Sequence, residues 1–202
     1  MFIGVYNIPN LVSLLGLVLS LMSCFLSYNN YLNLAIICFM YAGLCDMFDG
    51  FLARKKEMND EDKLFGIQLD SIVDVVSFGV APAMIAFHIG FTTFIDYLIL
   101  IFYVCCAAMR LAYFNVHGTK SDGKRKYYTG LPVTFSAMIF PFVYITSFWG
   151  NDLLYNNLVR LTFITISILF ILRIPVPKLG GLFYVLAPFV TLFLTFFWLY
   201  IK

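Results

Sequence analysis

The stretch that decides the fold is DMFDGFLARKKEMNDEDKLFGIQLDSIVD, residues 46–74. A charged linker joins its two hydrophobic parts, and each part carries a pair of aspartates. Asp46 and Asp49 are three residues apart. Asp70 and Asp74 are four residues apart, and either spacing puts a pair on one face of a helix. Because charged side chains at membrane depth cost several kcal/mol, they usually mark a functional site. The stretch therefore predicts two membrane helices whose aspartate pairs meet at one depth.

Composition places the whole chain in the membrane. Of its 202 residues, 62% are hydrophobic and only 12% are charged, whereas about a quarter of the residues in soluble domains are charged. Mean hydropathy is +0.91. These values exclude a soluble protein, and the modest net charge of +2 gives no reason to expect a nucleic-acid partner. The length suits one bundle of membrane helices, so we expect residues 1–202 to form a single integral membrane domain.

Seven segments approach the length of about 20 apolar residues that a membrane-spanning helix needs. They cover residues 9–27, 31–54, 64–90, 93–115, 130–149, 155–173 and 179–201. Short polar linkers separate them. The predicted fold is therefore all-α, a polytopic bundle of six to seven transmembrane helices.

Basic residues predict the orientation of this bundle. Three linkers contain Lys and Arg: residues 54–63, 118–126 and 173–178. The alternate linkers contain neither: residues 27–30, 90–93 and 150–156. With seven crossings, every basic linker lies on one side, and the positive-inside rule makes that side cytoplasmic. We expect a multi-pass protein of the cell membrane, with the N-terminus and the aspartates at the cytoplasmic face and the C-terminus outside. Arg160 and Lys202 run against this pattern.

Four carboxylates in one pocket of low polarity would repel one another strongly. Divalent cations remove that repulsion, and Mg²⁺ and Mn²⁺ prefer hard oxygen ligands that they share with substrate phosphates. Our first hypothesis is therefore a centre of two divalent cations, Mg²⁺ or Mn²⁺. The alternative is structural: some carboxylates would lie in interfacial loops or pair with Arg54 and Lys55.

Small residues and one arginine accompany the aspartates. Gly50, Ala53 and Gly66 leave room on their helices for a ligand or, equally, for close packing of a second helix. Arg54 stands at a helix end, where its guanidinium can hold a diphosphate through two hydrogen bonds. Its alternative role is to reach toward the membrane interface without binding a ligand.

Taken together, these residues resemble a known signature. Asp46-x-x-Asp49-Gly50-x-x-Ala53-Arg54, followed by Gly66-x-x-x-Asp70-x-x-x-Asp74, is similar to the motif of the CDP-alcohol phosphotransferase family at all eight defining positions. Eleven residues separate Arg54 from Gly66, where the family usually has eight, and the extra residues fall in the charged linker. The resemblance implies a CDP-activated lipid donor, release of CMP, divalent cations and a homodimer.

Four further segments are similar to integral-membrane phosphatidylserine synthases within that family. They are residues 77–83, 110–115, 130–133 and 173–178, and the resemblance spans residues 8–180. Tyr113 and Leu172 depart from that subfamily, which usually has Arg at the first position and often Ser at the second. The resemblance implies transfer of the phosphatidyl group from CDP-diacylglycerol to L-serine. The alternatives are a glycerol 3-phosphate or inositol phosphate acceptor, or an archaeal-type lipid donor.

The resemblance also implies roles for single residues. Asp46, Asp49 and Asp70 would be the principal metal ligands. Asp74 would contribute a further ligand and act as the base that deprotonates the serine hydroxyl. The CDP moiety would contact a set of five residues: Asp49, Gly50, Ala53, Arg54 and Gly66.

The acceptor needs a cation for its carboxylate. Arg110, in the fourth predicted helix, is the candidate, and an ion pair with one of the aspartates is its alternative role. Asn115 would help to position the same group. Lys126, in the basic linker, would gather anionic substrate or contact acidic lipid headgroups. Near the start of the chain, Asn10 is expected to cap the first helix.

A cation transporter or channel is the alternative from a different class, since such proteins also use rings of membrane carboxylates. That function predicts acidic residues along a path through the membrane. Asp96 and Asp152 lie near the opposite surface, separated from the four aspartates along the predicted helices. The sequence therefore favours the enzyme.

Overall fold

The computed structural model describes residues 3–55, 57–118, 120–122, 125–177 and 181–200. These ranges contain eight α-helices: α1 (Ile8–Tyr28), α2 (Leu32–Lys55), α3 (Asp60–Asp74), α4 (Ala81–His88), α5 (Phe94–His117), α6 (Ser136–Ile145), α7 (Asp152–Ile171) and α8 (Gly181–Tyr200). Within them, six helical segments are long and apolar enough to cross a membrane: α1, α2, the continuous segment Asp60–His88, α5, α7 and α8. A shorter apolar segment, Val133–Phe148, contains α6. All seven predicted segments are helical, which confirms the multi-pass bundle.

The third membrane segment begins earlier than the sequence pattern predicts. Asn59 caps α3, because its side chain accepts a hydrogen bond of 2.7 Å from the backbone N–H of Asp62. Acidic residues in the first turn also interact favourably with the positive end of the helix dipole. The charged linker between α2 and α3 is therefore shorter than its composition indicates.

A π-helical turn, Val75–Val80, links α3 to α4 directly after the second aspartate pair. Pro82 has no N–H with which to bond the carbonyl of Phe78, four residues before it. The Tyr103 hydroxyl on α5 donates a hydrogen bond of 2.6 Å to that carbonyl instead. The segment thus stays continuous through a proline, and Tyr103 ties it to α5.

A small antiparallel sheet accompanies the helices of this near all-α fold, which confirms the predicted fold class. Strands β1 (Lys120–Asp122), β2 (Arg125–Thr129) and β3 (Pro175–Pro177) pair in that order. The basic linker is therefore part of a hairpin and not a loop. Both prolines of β3 are tolerated because β3 is an edge strand with one neighbour. The sheet matters for the site because it fixes Tyr128 of β2 opposite Val176 of β3.

Small side chains let α1 and α2 pack closely. The buried face of α1 consists of residues with short side chains, apart from Asn10: Pro9, Asn10, Ser13, Gly16, Ser20, Ser23 and Ser27. Gly43 of α2 similarly meets α6, since a Cβ at Gly43 would lie 2.6 Å from the Cβ of Ala137. Such contacts are the usual means by which membrane helices approach each other. They hold the aspartate-bearing half of α2 between α1 and α6.

Candidate functional site

The two aspartate pairs meet where α2 faces α3. Ligand oxygens of Asp46, Asp49 and Asp70 all lie within 4.8 Å of one another. Asp49 and Asp74 are buried, whereas Asp46 and Asp70 are partly accessible. The short linker between the helices makes this meeting possible, because it returns the chain to the same end of the bundle.

Asp74 completes the group from the end of α3. Its carboxyl group lies within hydrogen-bonding reach of that of Asp46, and its Oδ1 atom is buried without a hydrogen-bond partner. The Ser13 hydroxyl donates a 2.6 Å hydrogen bond to Oδ2 of Asp49. The Thr134 hydroxyl lies within reach of Asp46. Hydroxyl groups from α1 and from the 3₁₀ turn Val133–Phe135 before α6 therefore support the carboxylates, whereas the described residues place no cation within 4.0 Å of them.

The donor set fits a divalent cation. In the described part of the chain, ion pairs within 4.0 Å are limited to Lys63–Asp60 and Arg160–Asp96, so none involves the four site carboxylates. Carboxylate oxygens are the ligands that Mg²⁺ and Mn²⁺ prefer. A buried Asp74 oxygen with no partner among the described residues, beside three clustered carboxylates and with Arg110 only at longer range, fits a cation supplied from outside the protein. The structural alternative of pairing with Arg54 or Lys55 is not observed.

A first cavity, of about 300 Å³, opens from the carboxylates between α2, α5, α6 and α8. Its polar end is lined by all four aspartates together with Arg54, Arg110, Thr134, Tyr128 and Tyr184. Its other end is apolar and is lined by Met138, Phe142, Val190 and Leu194. One cavity therefore joins a strongly polar site to an apolar surface within the bundle.

A second cavity, of about 290 Å³, lies between α1, α2 and α3 on the other side of the carboxylates. All five residues predicted to contact CDP line it: Asp49, Gly50, Ala53, Arg54 and Gly66. Asp49, Gly50, Arg54 and Asp70 line the first cavity as well. The two cavities thus share one wall, which carries metal-binding candidates and the candidate diphosphate arginine.

The start of α1 differs from the prediction. Asn7, not Asn10, is the N-cap: its backbone is extended, and its side chain accepts a 2.9 Å hydrogen bond from the Asn10 N–H. Asn10 instead lies in the first turn, donates to the carbonyl of Val5 at 2.8 Å and lines the second cavity. A cap at Asn7 leaves the Asn10 side chain facing α3, where a Cβ on Gly66 would lie 3.3 Å from its Oδ1.

Arg110 reaches the first cavity from α5. It is 7% exposed, its Nε has no hydrogen-bond partner, and its Cζ lies 5.0 Å from the ring centroid of Phe114. The described residues form no ion pair with it within 4.0 Å, although three site aspartates lie within electrostatic range. The alternative of a direct ion pair is therefore not observed. Nearby, burial raises the pKa of the Tyr128 hydroxyl, so Tyr128 is neutral at physiological pH.

Of the other predicted acceptor residues, Asn115 does not line this cavity in the described structure. Asn115 is exposed, and its Nδ2 donates a 2.8 Å hydrogen bond to Ser71 at the outside of the α3–α5 contact. Lys126 has its backbone in β2, and its side chain lies outside what the structure describes. Lys202 likewise lies outside the described residues.

Sequence reasoning missed Ser13, Thr134, Tyr128 and Tyr184, which all line one of the two cavities. One signal was present: the dipeptide Asp122-Gly123 between short polar stretches is typical of a hairpin, and the hairpin brings Tyr128 to the site. Nothing in the sequence around Tyr184 distinguishes it from the other aromatic residues of α8.

Comparison with known proteins agrees with this geometry. The family model for CDP-alcohol phosphatidyltransferases matches residues 6–191. The chain belongs to this family. Its matched range contains both aspartate pairs, both cavities' polar walls and most of α8, so the family resemblance expected from the motif is confirmed. Together with the apolar helices, membership makes the chain a multi-pass membrane protein.

Three curated relatives show how far the similarity extends. The archaetidylserine synthase of Methanothermobacter thermautotrophicus is 34% identical over 177 residues, covering 87% of this chain and 71% of the relative. The CDP-diacylglycerol–serine O-phosphatidyltransferase of Saccharomyces cerevisiae is 48% identical over 101 residues, 47% of this chain and 36% of the relative. The enzyme of the same name from Bacillus subtilis is 35% identical over 121 residues, 58% of this chain and 63% of the relative. The chain thus spans about a third of the yeast relative's length and about two thirds of the other two.

Proposed function

We propose that this protein transfers the phosphatidyl group from CDP-diacylglycerol to L-serine, forming phosphatidylserine and releasing CMP. One observation carries the proposal: three carboxylates lie within 4.8 Å of one another at the positions of the family motif, and two of them, Asp49 and Asp70, line both cavities. Family membership and the names of the relatives support the same chemistry.

We further propose two divalent cations, Mg²⁺ or Mn²⁺, held by Asp46, Asp49 and Asp70 with a contribution from Asp74. When bound, such cations neutralise a diphosphate and stabilise the charge that develops on the leaving oxygen. The protein's own part is to hold the carboxylates in place. Ser13 does so for Asp49 by its 2.6 Å hydrogen bond.

The second cavity is our proposed site for the CDP moiety. Gly50, Ala53 and Gly66 present no long side chains there, so a flat, polar group can lie against α2 and α3. Arg54 at the shared wall would hold the diphosphate, which then places the reacting phosphorus beside the carboxylates. The apolar end of the first cavity suits the acyl chains of the donor, which would stay within the bilayer.

In the transfer step, the serine hydroxyl oxygen forms a bond to the lipid-bearing phosphorus while the bond from that phosphorus to CMP breaks. Asp74 is the proposed base that receives the hydroxyl proton. Its buried Oδ1 has no hydrogen-bond partner among the described residues and is therefore available to accept a hydrogen bond. A positioned general base of this kind contributes about 10²–10⁴-fold to a rate.

Arg110 is the proposed partner of the serine carboxylate. It is buried, its Nε is unpaired, and it lines the first cavity with the aspartates. Glycerol 3-phosphate or inositol phosphate would bring a second phosphate into this cavity. Of the described cavity-lining residues only Arg54 and Arg110 are basic, which favours the acceptor with a single carboxylate.

An archaeal-type CDP-lipid is the second candidate donor. The relative with the broadest coverage reported above is named an archaetidylserine synthase. The apolar end of the first cavity accommodates hydrocarbon of either kind, because most of its lining side chains offer dispersion contacts. Both donors keep serine as acceptor, so this alternative changes the lipid and not the chemistry.

We also propose that the site faces the cytoplasm, that the N-terminus is cytoplasmic and that the protein is a homodimer in the cell membrane. The alternation of basic linkers supports the orientation. The whole of residues 1–202 is proposed to act as one catalytic domain.

The test is an acceptor and donor screen with purified protein and Mn²⁺ or Mg²⁺. We expect CMP release to require L-serine and a CDP-lipid, and to be negligible with glycerol 3-phosphate or inositol phosphate. Comparison of CDP-diacylglycerol with its dialkyl-ether counterpart then identifies the donor. CMP release that follows another alcohol and ignores serine would overturn the acceptor assignment.

A further inference from the structure

Arg54 lies between the two cavities and is held there by the last helix. Its Nη2 donates a hydrogen bond of 2.8 Å to the hydroxyl oxygen of Tyr184 on α8. Its Cζ also lies 5.7 Å from the centroid of the Tyr184 ring. Arg54 is exposed and therefore has no tight packing to fix its conformation, so these two contacts with Tyr184 decide where its guanidinium points.

Tyr184 is itself fixed against α2. Its ring centroid lies 5.9 Å from that of Phe51, which precedes Arg54 by three residues and so lies on the same face of the helix. On the other side, Nη1 of Arg54 lies 3.4 Å from the position that a Cβ on Gly50 would occupy. The guanidinium is thus confined between the Gly50 backbone and the Tyr184 hydroxyl, at the wall that both cavities share.

The hydrogen-bond chemistry of this pair suits an anionic ligand. A guanidinium has five N–H donors, and the contact with Tyr184 uses one. The phenol oxygen accepts that hydrogen bond and keeps its own O–H proton to donate. The Arg54 guanidinium and the Tyr184 hydroxyl therefore direct hydrogen-bond donors to the same place. There, the oxygens of a diphosphate would accept their hydrogen bonds.

We propose that Tyr184 is a positioning residue that aims Arg54 at the diphosphate of the donor nucleotide. This inference rests on the proposed function, because that function gives Arg54 its ligand. It assigns α8, which carries no part of the motif, a direct share in the donor site. The consequence is specific: loss of the hydroxyl weakens donor binding and leaves use of the acceptor unchanged.

Tyr184→Phe isolates the hydroxyl, because it keeps the ring against Phe51 and over Arg54. We expect the KM for the CDP-lipid to rise about fivefold, which is the effect of losing one hydrogen bond of ordinary net strength. The kcat and the KM for serine should stay within about twofold of wild type. Direct titration of the purified protein with CDP-lipid in detergent micelles should show the same fivefold loss.

Two further variants complete the test. Tyr200→Phe removes a hydroxyl from the same helix at a residue that is 83% exposed, and it should change nothing. Arg54→Lys removes the planar partner of Tyr184, so adding Tyr184→Phe to it should cost less than the fivefold seen alone. A merely structural role for Tyr184 would instead lower the melting temperature and leave the KM for the donor unchanged.

The outcomes separate the two hypotheses. Normal donor binding by wild type together with an unchanged KM in Tyr184→Phe would overturn this inference alone. A wild-type protein that binds no CDP-lipid would overturn the proposed function, and the inference with it. Strict additivity of Arg54→Lys and Tyr184→Phe would show that the two residues act independently, which also overturns the inference.

Discussion

Two groups of charged residues lie within the membrane segments, and they are built in opposite ways. At the start of α5, Asp96 is 1% exposed and accepts hydrogen bonds from Arg160 at 2.6 and 3.2 Å. The Thr93 backbone N–H and hydroxyl donate to it at 3.1 and 2.6 Å. Both oxygens of this carboxylate therefore have protein partners, and the charge is neutralised within the fold.

The aspartates at the other end of the bundle have no such arrangement. Three of them crowd within 4.8 Å, and Asp74 keeps a buried oxygen without a hydrogen-bond partner. Arg110 lies within electrostatic range of three of these aspartates, but the described residues supply no direct ion pair like that of Arg160 with Asp96, so burial of the carboxylates stays costly. This difference indicates that the first group stabilises the fold, and it supports our proposal that the second group binds a ligand. It also argues against Asp96 as part of a cation path, because Arg160 already pairs with that carboxylate.

The largest expected effect is at the site aspartates, Asp46, Asp49, Asp70 and Asp74. Asp70→Asn removes one of the three clustered carboxylates and should bring serine-dependent CMP release below detection. In EDTA the same variant should melt at a temperature equal to or above that of wild type, because one repelling charge is gone. Activity assays and thermal melts on one preparation separate the two effects. Wild-type activity in this variant would contradict the assigned ligand set.

For the Asp96–Arg160 pair we expect the opposite result, a loss of stability without a loss of turnover. Arg160→Met leaves the buried Asp96 carboxylate without its cation and should lower the free energy of unfolding by about 3 kcal/mol. Turnover per folded molecule should stay at the wild-type level, since the pair lies far from the aspartate site. Melting in detergent and kcat corrected for folded fraction check both parts. The double variant Asp96→Asn/Arg160→Met should recover most of the lost stability.

Adding Mn²⁺ tests the same difference between the site aspartates and the Asp96–Arg160 pair. Mn²⁺ at about a hundred times its Kd should stabilise wild type by about 2.7 kcal/mol, because it binds the folded state. Arg160→Met should gain a similar amount, whereas Asp70→Asn should gain much less. Thermal melts with and without Mn²⁺, with Ca²⁺-free buffer and EDTA as the reference, measure the three gains. Equal gains in all three proteins would mean that Mn²⁺ binds elsewhere.

The sequence was sufficient for the parts of the site that depend on local spacing. Asp46, Asp49, Asp70 and Asp74 meet because helical periodicity aligns each pair and the short linker returns the chain to the same end. The contact between Tyr184 and Arg54 was not predictable in the same way. Tyr184 stands 130 residues from Arg54, and only the docking of α8 on α2 brings them together.

The N-cap of α1 and the hairpin show two other limits. Asn7 and Asn10 are both suitable cap residues, and the choice depends on where the chain turns extended, at φ −109° and ψ 166° for Asn7. The hairpin of β1 and β2 is stabilised by pairing with β3, about 50 residues further on, and that pairing cannot be read from the linker's composition.

The smallest expected effect concerns Thr93, which contacts the carboxylate of the Asp96–Arg160 pair. Thr93 caps α5, and it forms a reciprocal capping box with Asp96, whose carboxylate also accepts its backbone N–H. Thr93→Ala should cost about 1 kcal/mol of stability, because Arg160 still neutralises the carboxylate and only the hydroxyl contacts are lost. Thr93→Ser keeps the hydroxyl and serves as the matched control. Chemical denaturation in mixed micelles measures both variants. A loss as large as that of Arg160→Met would mean that the cap, and not the arginine, is what makes burial of Asp96 tolerable.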